Sequence, residues 1–417
     1  GPMAAKWQPM TPLVRRIRLL RLLLAAGLCR SEGRSIELQG GRRYLLHVPP
    51  GYSPQRPVPI WLLAPGTGDT PEYFMQMSGL ASLTDKEDGV VCVGLEGKDG
   101  NLNVGTHALP EPWMADDVAY TQEVLRDVVK RINVERNLIR CIGFSRGARF
   151  CSRLASEMSS FISAIAPVSG LRFPEPNNST RPTPIIAFHG TADRINPFNG
   201  NGNPEYWHEP VLGAVRRWAD RNGCQSYMEK DVSPAVRYCV HTNCTDGADV
   251  ILVQIWGGGH TWPGSWTYSP PSWAFGAISH DITAKVDIMN FFKKHQKRPS
   301  CHTAVHDDPC FRHVMWVKRH GIHSQPQLYD GLDTSATFED IQATLHKKFY
   351  ANCPWPCPVP DHGSVQVEAL RVSVHRFRRK VLQEETGKAF QVVPRAWWAS
   401  SILLVLGVAS VSVFLWR

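Results

Sequence analysis

The chain has 417 residues, 43% hydrophobic and 20% charged, which suits one large α/β domain with smaller additions and excludes a disordered protein. Its net charge of +9 comes from 46 Lys and Arg against 37 Asp and Glu, gathered partly at Arg15–Arg21 and Arg371–Arg395. Basic clusters beside apolar segments serve targeting or membrane flanking, and no basic stripe interleaved with aromatics is present, which argues against nucleic acid as a partner.

In chain order, Gly1-Pro2 ahead of Met3 reads as a protease-cleavage scar. Met3 to Ser31 holds no acidic residue, and its arginines lead into the apolar run Leu22–Leu28. With small residues near Gly27–Ser31, this predicts a secretory signal within a leader spanning 1–34; an organellar transit peptide would share the composition. From Ser35 to Lys297 short Val- and Ile-rich runs alternate with amphipathic ones. Strands are predicted at Val58–Leu63, Gly89–Leu95, Leu138–Phe144, Ile162–Val168, Pro184–Phe188 and Val250–Ile255. Helices are predicted at Asp117–Arg131, Arg146–Met158, Val211–Arg221 and Ile282–Lys294. The alternation argues for a mainly parallel sheet with helices on both faces, whose ligands bind beyond the carboxyl ends of the strands.

Residues 298–360 form a Cys/His-rich module bounded by Cys301 and Cys357, 361–396 a basic stalk, and 397–416 an uncharged run with Trp at both ends, the pattern of a transmembrane helix. Cys92, Cys141 and Cys151 lie on apolar segments and are expected as buried thiols. Cys224, Cys239, Cys244, Cys301, Cys310, Cys353 and Cys357 sit in turn-rich sequence and are expected in disulfides. In the module a zinc site using His302, His306, His313 and cysteines is the competing reading, without a clean ligand spacing behind it. The cysteines, with the sequons at Asn177, Asn178 and Asn243, predict a membrane-anchored protein of the secretory pathway whose body is lumenal or extracellular.

The chemistry-bearing residues follow strands. Gly143-Phe144-Ser145-Arg146-Gly147 stands between a predicted strand and a predicted helix, the setting of a nucleophile elbow. A serine hydroxyl needs a base, and the base needs an orienting acid. After the strand ending at Phe188 comes Asp193; after that ending at Ile255 comes His260 in a glycine-rich loop. Ser145, Asp193 and His260 therefore follow the order nucleophile, acid, base. Asp116 and Asp117 read as helix caps, His189 as structural, and His280 with Asp281 as a fallback pair. For the oxyanion, the Arg146 N–H is one expected donor. The other comes from Ala64-Pro65-Gly66-Thr67-Gly68, where Pro65 has no N–H, so Gly66 is expected and Thr67 next.

GFSRGA at 143–148, FHGTADRINPFNG at 188–200, RWADRNGC at 217–224 and GGGHTWPG at 257–264 resemble the extracellular polyhydroxybutyrate depolymerases and feruloyl esterases, over roughly Tyr44 to Lys297. The resemblance implies an α/β-hydrolase fold with Ser145, Asp193 and His260 as the triad. It also implies that Cys224 pairs with Cys239 or Cys244, and that Trp262 lines the substrate site. The family's usual His-Gly opening of the oxyanion loop is replaced by Ala64-Pro65, and Arg146 stands where a small amide side chain is more common. The function expected is ester hydrolysis through an acyl-enzyme, on a feruloyl-type or hydroxyalkanoate polyester, with no metal or organic cofactor. The alternatives are a serine peptidase on the same fold and an inactive membrane-anchored binding protein.

Overall fold

The apolar runs between Ser35 and Lys297 assemble into one sheet in a computed structural model that describes residues 33–358, apart from 87–88, 106–113, 204–205, 269 and 297–300. The expected stalk and membrane segment, and nearly all of the expected leader, lie outside the described residues. Among the described residues no helix is long and apolar enough to cross a membrane.

The sheet has ten strands: β1 Arg34–Glu37, β2 Arg43–His47, β3 Val58–Ala64, β4 Val91–Leu95, β5 Val134–Phe144, β6 Ile162–Val168, β7 Ile185–Gly190, β8 Ser226–Ser233, β9 Val236–Thr242 and β10 Val250–Ile255. Their order is β1-β2-β4-β3-β5-β6-β7-β10-β9-β8. The central run from β4 to β10 is parallel, and an antiparallel hairpin closes each edge.

Alternation along the strands divides the core. Ile60 and Leu62 face a layer with the helices Asp117–Arg131, Arg146–Glu157 and Val211–Arg221, while Trp61 and Leu63 face Pro71–Ser78 and Ala284–Lys294. This mostly parallel sheet covered on both faces fits an α/β-hydrolase fold. The β8–β9 hairpin was not expected from sequence, because β8 is exposed almost throughout and lacks apolar alternation. Its outer edge is charged, with Arg237 bridging Glu229 and Asp231.

The cysteine expectations need three corrections. Cys141 on β5 and Cys151 on the following helix are bonded to each other; each faces the strand–helix interface, where an apolar neighbourhood suits a disulfide as well as a thiol. Cys92 is a buried thiol, as expected; Cys239, expected in a disulfide, is a buried thiol as well, since Cys224 pairs with Cys244. The module's cysteines form Cys301–Cys357 and Cys310–Cys353, which removes the sulfur ligands from the zinc reading. Among the described residues no three His, Cys, Asp or Glu side chains converge as a metal set.

The module packs the helices Pro309–Trp316 and Phe338–Lys347 around Val314, Ile341, Leu345 and Cys353. It is seated on the main body. Phe349 meets Phe161 at 5.2 Å, Asn352 accepts from the Ser160 amide at 2.9 Å, and Arg136 donates to the Lys347 carbonyl at 2.6 Å.

Candidate active site

At the carboxyl end of β5 the chain turns at Ser145, with φ 53° and ψ −115°, straight into the Arg146–Glu157 helix. A residue with a Cβ rarely adopts that conformation; here close packing enforces it. A Cβ on Gly147 would lie 1.8 Å from the Ala64 carbonyl oxygen, and one on Gly143 2.2 Å from that of Gly147. Both glycines are needed for strand and helix to approach this closely.

Two further strand ends bring their loops to the same place. Asp193 follows β7 and His260 follows β10, which are paired in register from Ile185 with Val250 to Gly190 with Ile255. Ser145 Oγ lies 2.8 Å from His260 Nε2, and His260 Nδ1 lies 2.8 Å from Asp193 Oδ2. All three are buried, with exposures of 8, 2 and 4% for Ser145, His260 and Asp193. The other Asp193 oxygen, Oδ1, accepts from the amides of Ile195 and Asn196 at 2.9 and 2.8 Å. The carboxylate is thus aimed before it meets the ring, so Nδ1–H donates to it and Nε2 is left to accept from the serine.

His189 stands 3.4 Å from Asp193 Oδ2, but burial lowers its pKa and keeps it neutral. Its Nε2–H donates to the Asn196 carbonyl at 2.8 Å, and it stacks on Trp207. It buttresses the acid loop, as expected. Asp116 caps its helix through the Val118 and Ala119 amides. Asp117 is not a cap; it is buried and bridged to Arg42 at 2.6 Å. His280 stacks on Trp266, and Asp281 accepts from Ser233, so the structure does not bring this fallback pair to Ser145.

Gly66 and Thr67 line a cavity of about 910 Å³ together with Ser145, Arg146 and His260. A Cβ on Gly66 would touch Ser145 Cβ at 3.6 Å, which shows how near that loop passes to the nucleophile. The Arg146 amide opens the helix, where backbone N–H groups favour an anion. Its guanidinium turns aside to the Leu102 carbonyl at 2.6 Å.

Trp262 is a correction. It is 1% exposed, packs edge-on against Phe74 at 5.5 Å, and does not line the cavity. The aromatic wall comes instead from Tyr73, Phe144, Tyr206, Tyr268 and Phe275, with Asp69 and Arg149 as charged members. Sequence reading missed most of these because they come from separate segments: Tyr73 from the Pro71–Ser78 helix, Phe144 from the end of β5, Arg149 from the Arg146–Glu157 helix, and Tyr206 and Tyr268 from loops far apart in sequence. Asp69 and Tyr73 had a signal in their closeness to the oxyanion loop, and Phe144 in its place beside Ser145.

No family model matches the chain. It is 28% identical over 281 residues to "Putative esterase NocK" of Nocardia uniformis subsp. tsuyamanensis, covering 60% of this chain and 78% of that protein. It is 25% identical over 234 residues to feruloyl esterase B of Piromyces equi, covering 52% of this chain and 42% of that protein, under half its length. With feruloyl esterase D of Neurospora crassa it shares 25% identity over 241 residues, 52% of this chain and 73% of that one. Among solved structures, a feruloyl esterase module from Clostridium thermocellum complexed with sinapinate superposes with TM-score 0.40 at 13% identity, covering 67% of this chain and 93% of that one. These relatives are esterases and feruloyl esterases, the group to which the motifs pointed; none of the three relatives is a polyhydroxybutyrate depolymerase.

Proposed function

We propose that this chain is a serine carboxylic ester hydrolase working through an acyl-enzyme on a feruloyl-type substrate. The observation that carries the reading is the continuous hydrogen-bonded line Asp193–His260–Ser145, 2.8 Å at each step, opening into an aromatic-walled cavity. Ser145 Oγ attacks the ester carbonyl while His260 Nε2 takes its proton. Asp193 holds the ring and stabilises the imidazolium that forms. The amides of Arg146 and Gly66, with Thr67 next, face the developing oxyanion. His260 returns the proton to the departing alcohol, and a water then repeats the sequence on the acyl-enzyme.

Rings from five residues favour a flat acyl group over a hydroxyalkanoate chain, and two of the three named relatives are feruloyl esterases. Four disulfides among the described residues support an oxidising compartment, and the 397–416 run supports a membrane-held body. Glycosidase sensitivity of the body checks that topology.

The direct test compares wild type with Ser145→Ala on p-nitrophenyl butyrate, methyl ferulate and a hydroxybutyrate oligomer, with a fluorophosphonate label alongside. Loss of turnover and of label in the variant, with methyl ferulate the best wild-type substrate, is expected. Equal turnover by the two proteins would end the esterase reading; a preference for the oligomer would end only the feruloyl one.

A further inference from the structure

The oxyanion loop carries a carboxylate that ester hydrolysis does not call for. Asp69 lines the substrate cavity, half-buried, and its Oδ2 stands 2.7 Å from where a Cβ on Gly66 would be, the same point that lies 3.6 Å from Ser145 Cβ. Its place is fixed by the backbone: the Asp69 amide donates to the Gly66 carbonyl at 3.2 Å, and the Gly68 amide to the Gly100 carbonyl at 2.9 Å. Burial raises its pKa, against the opposing pull of the Gly66 backbone and His260. A negative charge this close to a forming oxyanion opposes the reaction unless substrate uses it.

We infer that Asp69 is a specificity-determining residue whose carboxylate accepts a hydrogen bond from a substrate hydroxyl two or three bonds from the scissile ester group. The reach follows from the position beside Gly66, which is too near Ser145 for a group at the far end of the acyl chain. A hydroxyl fits better than an ammonium because Arg149 lines the same cavity and disfavours a second cation. Tyr73 and Tyr268, which feel the Asp69 charge, wall the space where that hydroxyl would sit.

The inference rests on the esterase reading above, and its test separates the two. Matched ester pairs place the hydroxyl on either side of the bond: p-nitrophenyl butyrate against its 3-hydroxybutyrate, and ethyl ferulate against 2-hydroxyethyl ferulate. Wild type should favour the hydroxylated member of one pair by about tenfold in kcat/KM, the fold-change of one charge-assisted hydrogen bond. Asp69→Ala should bring that ratio to about one, and Asp69→Asn, which keeps an accepting oxygen, should fall between. A wild-type ratio of one in both pairs overturns the inference even if no variant folds. So does a ratio that survives in Asp69→Ala with both rates lowered equally, the signature of a merely structural loop residue. Absence of turnover on all four esters would instead count against the esterase reading.

Discussion

Replacing Asp193 by asparagine should silence the enzyme while leaving its fold in place. The two carboxylate oxygens have different tasks: Oδ1 is pinned by the Ile195 and Asn196 amides at 2.9 and 2.8 Å, and Oδ2 faces His260 Nδ1 at 2.8 Å. Those amides can only donate, so the asparagine oxygen must take the Oδ1 place and its NH₂ must point at the ring. An NH₂ there makes Nδ1 the acceptor and puts the ring proton on Nε2, where it meets the Ser145 hydroxyl 2.8 Å away as a competing donor. The serine then has no base. Imposing the wrong tautomer costs about 10⁴-fold in kcat, or about 5 kcal/mol of transition-state stabilisation. The assay is steady-state hydrolysis of p-nitrophenyl butyrate together with the rate of fluorophosphonate labelling, with a melting curve to show that the variant is folded. A folded variant within tenfold of wild type would refute the reasoning. Asp193→Ala is the poorer probe, because it strands the buried Asn196 amide and the half-buried Ile195 amide and would lower stability as well.

Removing the Cys141–Cys151 bond by a double serine substitution should lower unfolding free energy by about 2–3 kcal/mol, since it closes a short loop of ten residues around the nucleophile. Chemical denaturation checks this, and an unshifted midpoint would show the bond to be idle. Trp262→Ala should cost about 3–5 kcal/mol as a core cavity against Phe74, while the ratio of rates on methyl ferulate and p-nitrophenyl butyrate stays the same; a change in that ratio would return Trp262 to the substrate site. His346 is held neutral by burial, its pKa lowered to about 4, while its ring bonds the Cys353 carbonyl. Unfolding frees it to take up a proton near its ordinary value of about 6.5. The stability it protects is therefore present above about pH 6.5 and is lost as pH falls toward about 4, by up to roughly 3 kcal/mol. Urea midpoints across that range should slope less in His346→Gln, and identical slopes would contradict the assignment.

How legible the molecule was from its sequence depends on whether a feature is written locally. Ser145, Asp193 and His260 were readable because each sits just past an apolar run that is long enough to be a strand. The strand order then puts the ends of β7 and β10 side by side, with the end of β5 just across β6. The Asp117–Arg131 and Val211–Arg221 helices came out with their full bounds because their apolar periodicity is unbroken. The Cys141–Cys151 bond was not readable, since the burial that lets the pair meet also makes each look like an ordinary core thiol. Trp262 misled for a related reason. Proximity to His260 in sequence suggested the cavity, but the loop is clamped by the Gly259 and Gly264 amides onto the Ala277 and Ser279 carbonyls, and Trp262 is turned into the core. The real aromatic wall is gathered from around Tyr73, Phe144, Tyr206 and Tyr268, which no local pattern connects.

The position of the disulfide-bonded module limits what it can do for catalysis. Its contacts with the body are at Arg126 and Arg136, at Ser160 just before β6, and at Phe161. Arg136 lies near the amino end of β5 and Phe161 directly precedes β6, whereas Ser145, Asp193 and His260 all follow carboxyl ends. In a parallel sheet those are opposite rims. The module therefore supplies no wall to the substrate cavity. What it does supply is burial: Phe349 joins the same core cluster as Ile139 and Ile162, on strands that run up to the elbow. Its influence on activity should pass through the stability of that core. Loosening it should shift denaturation midpoints well before it shifts the preference among esters.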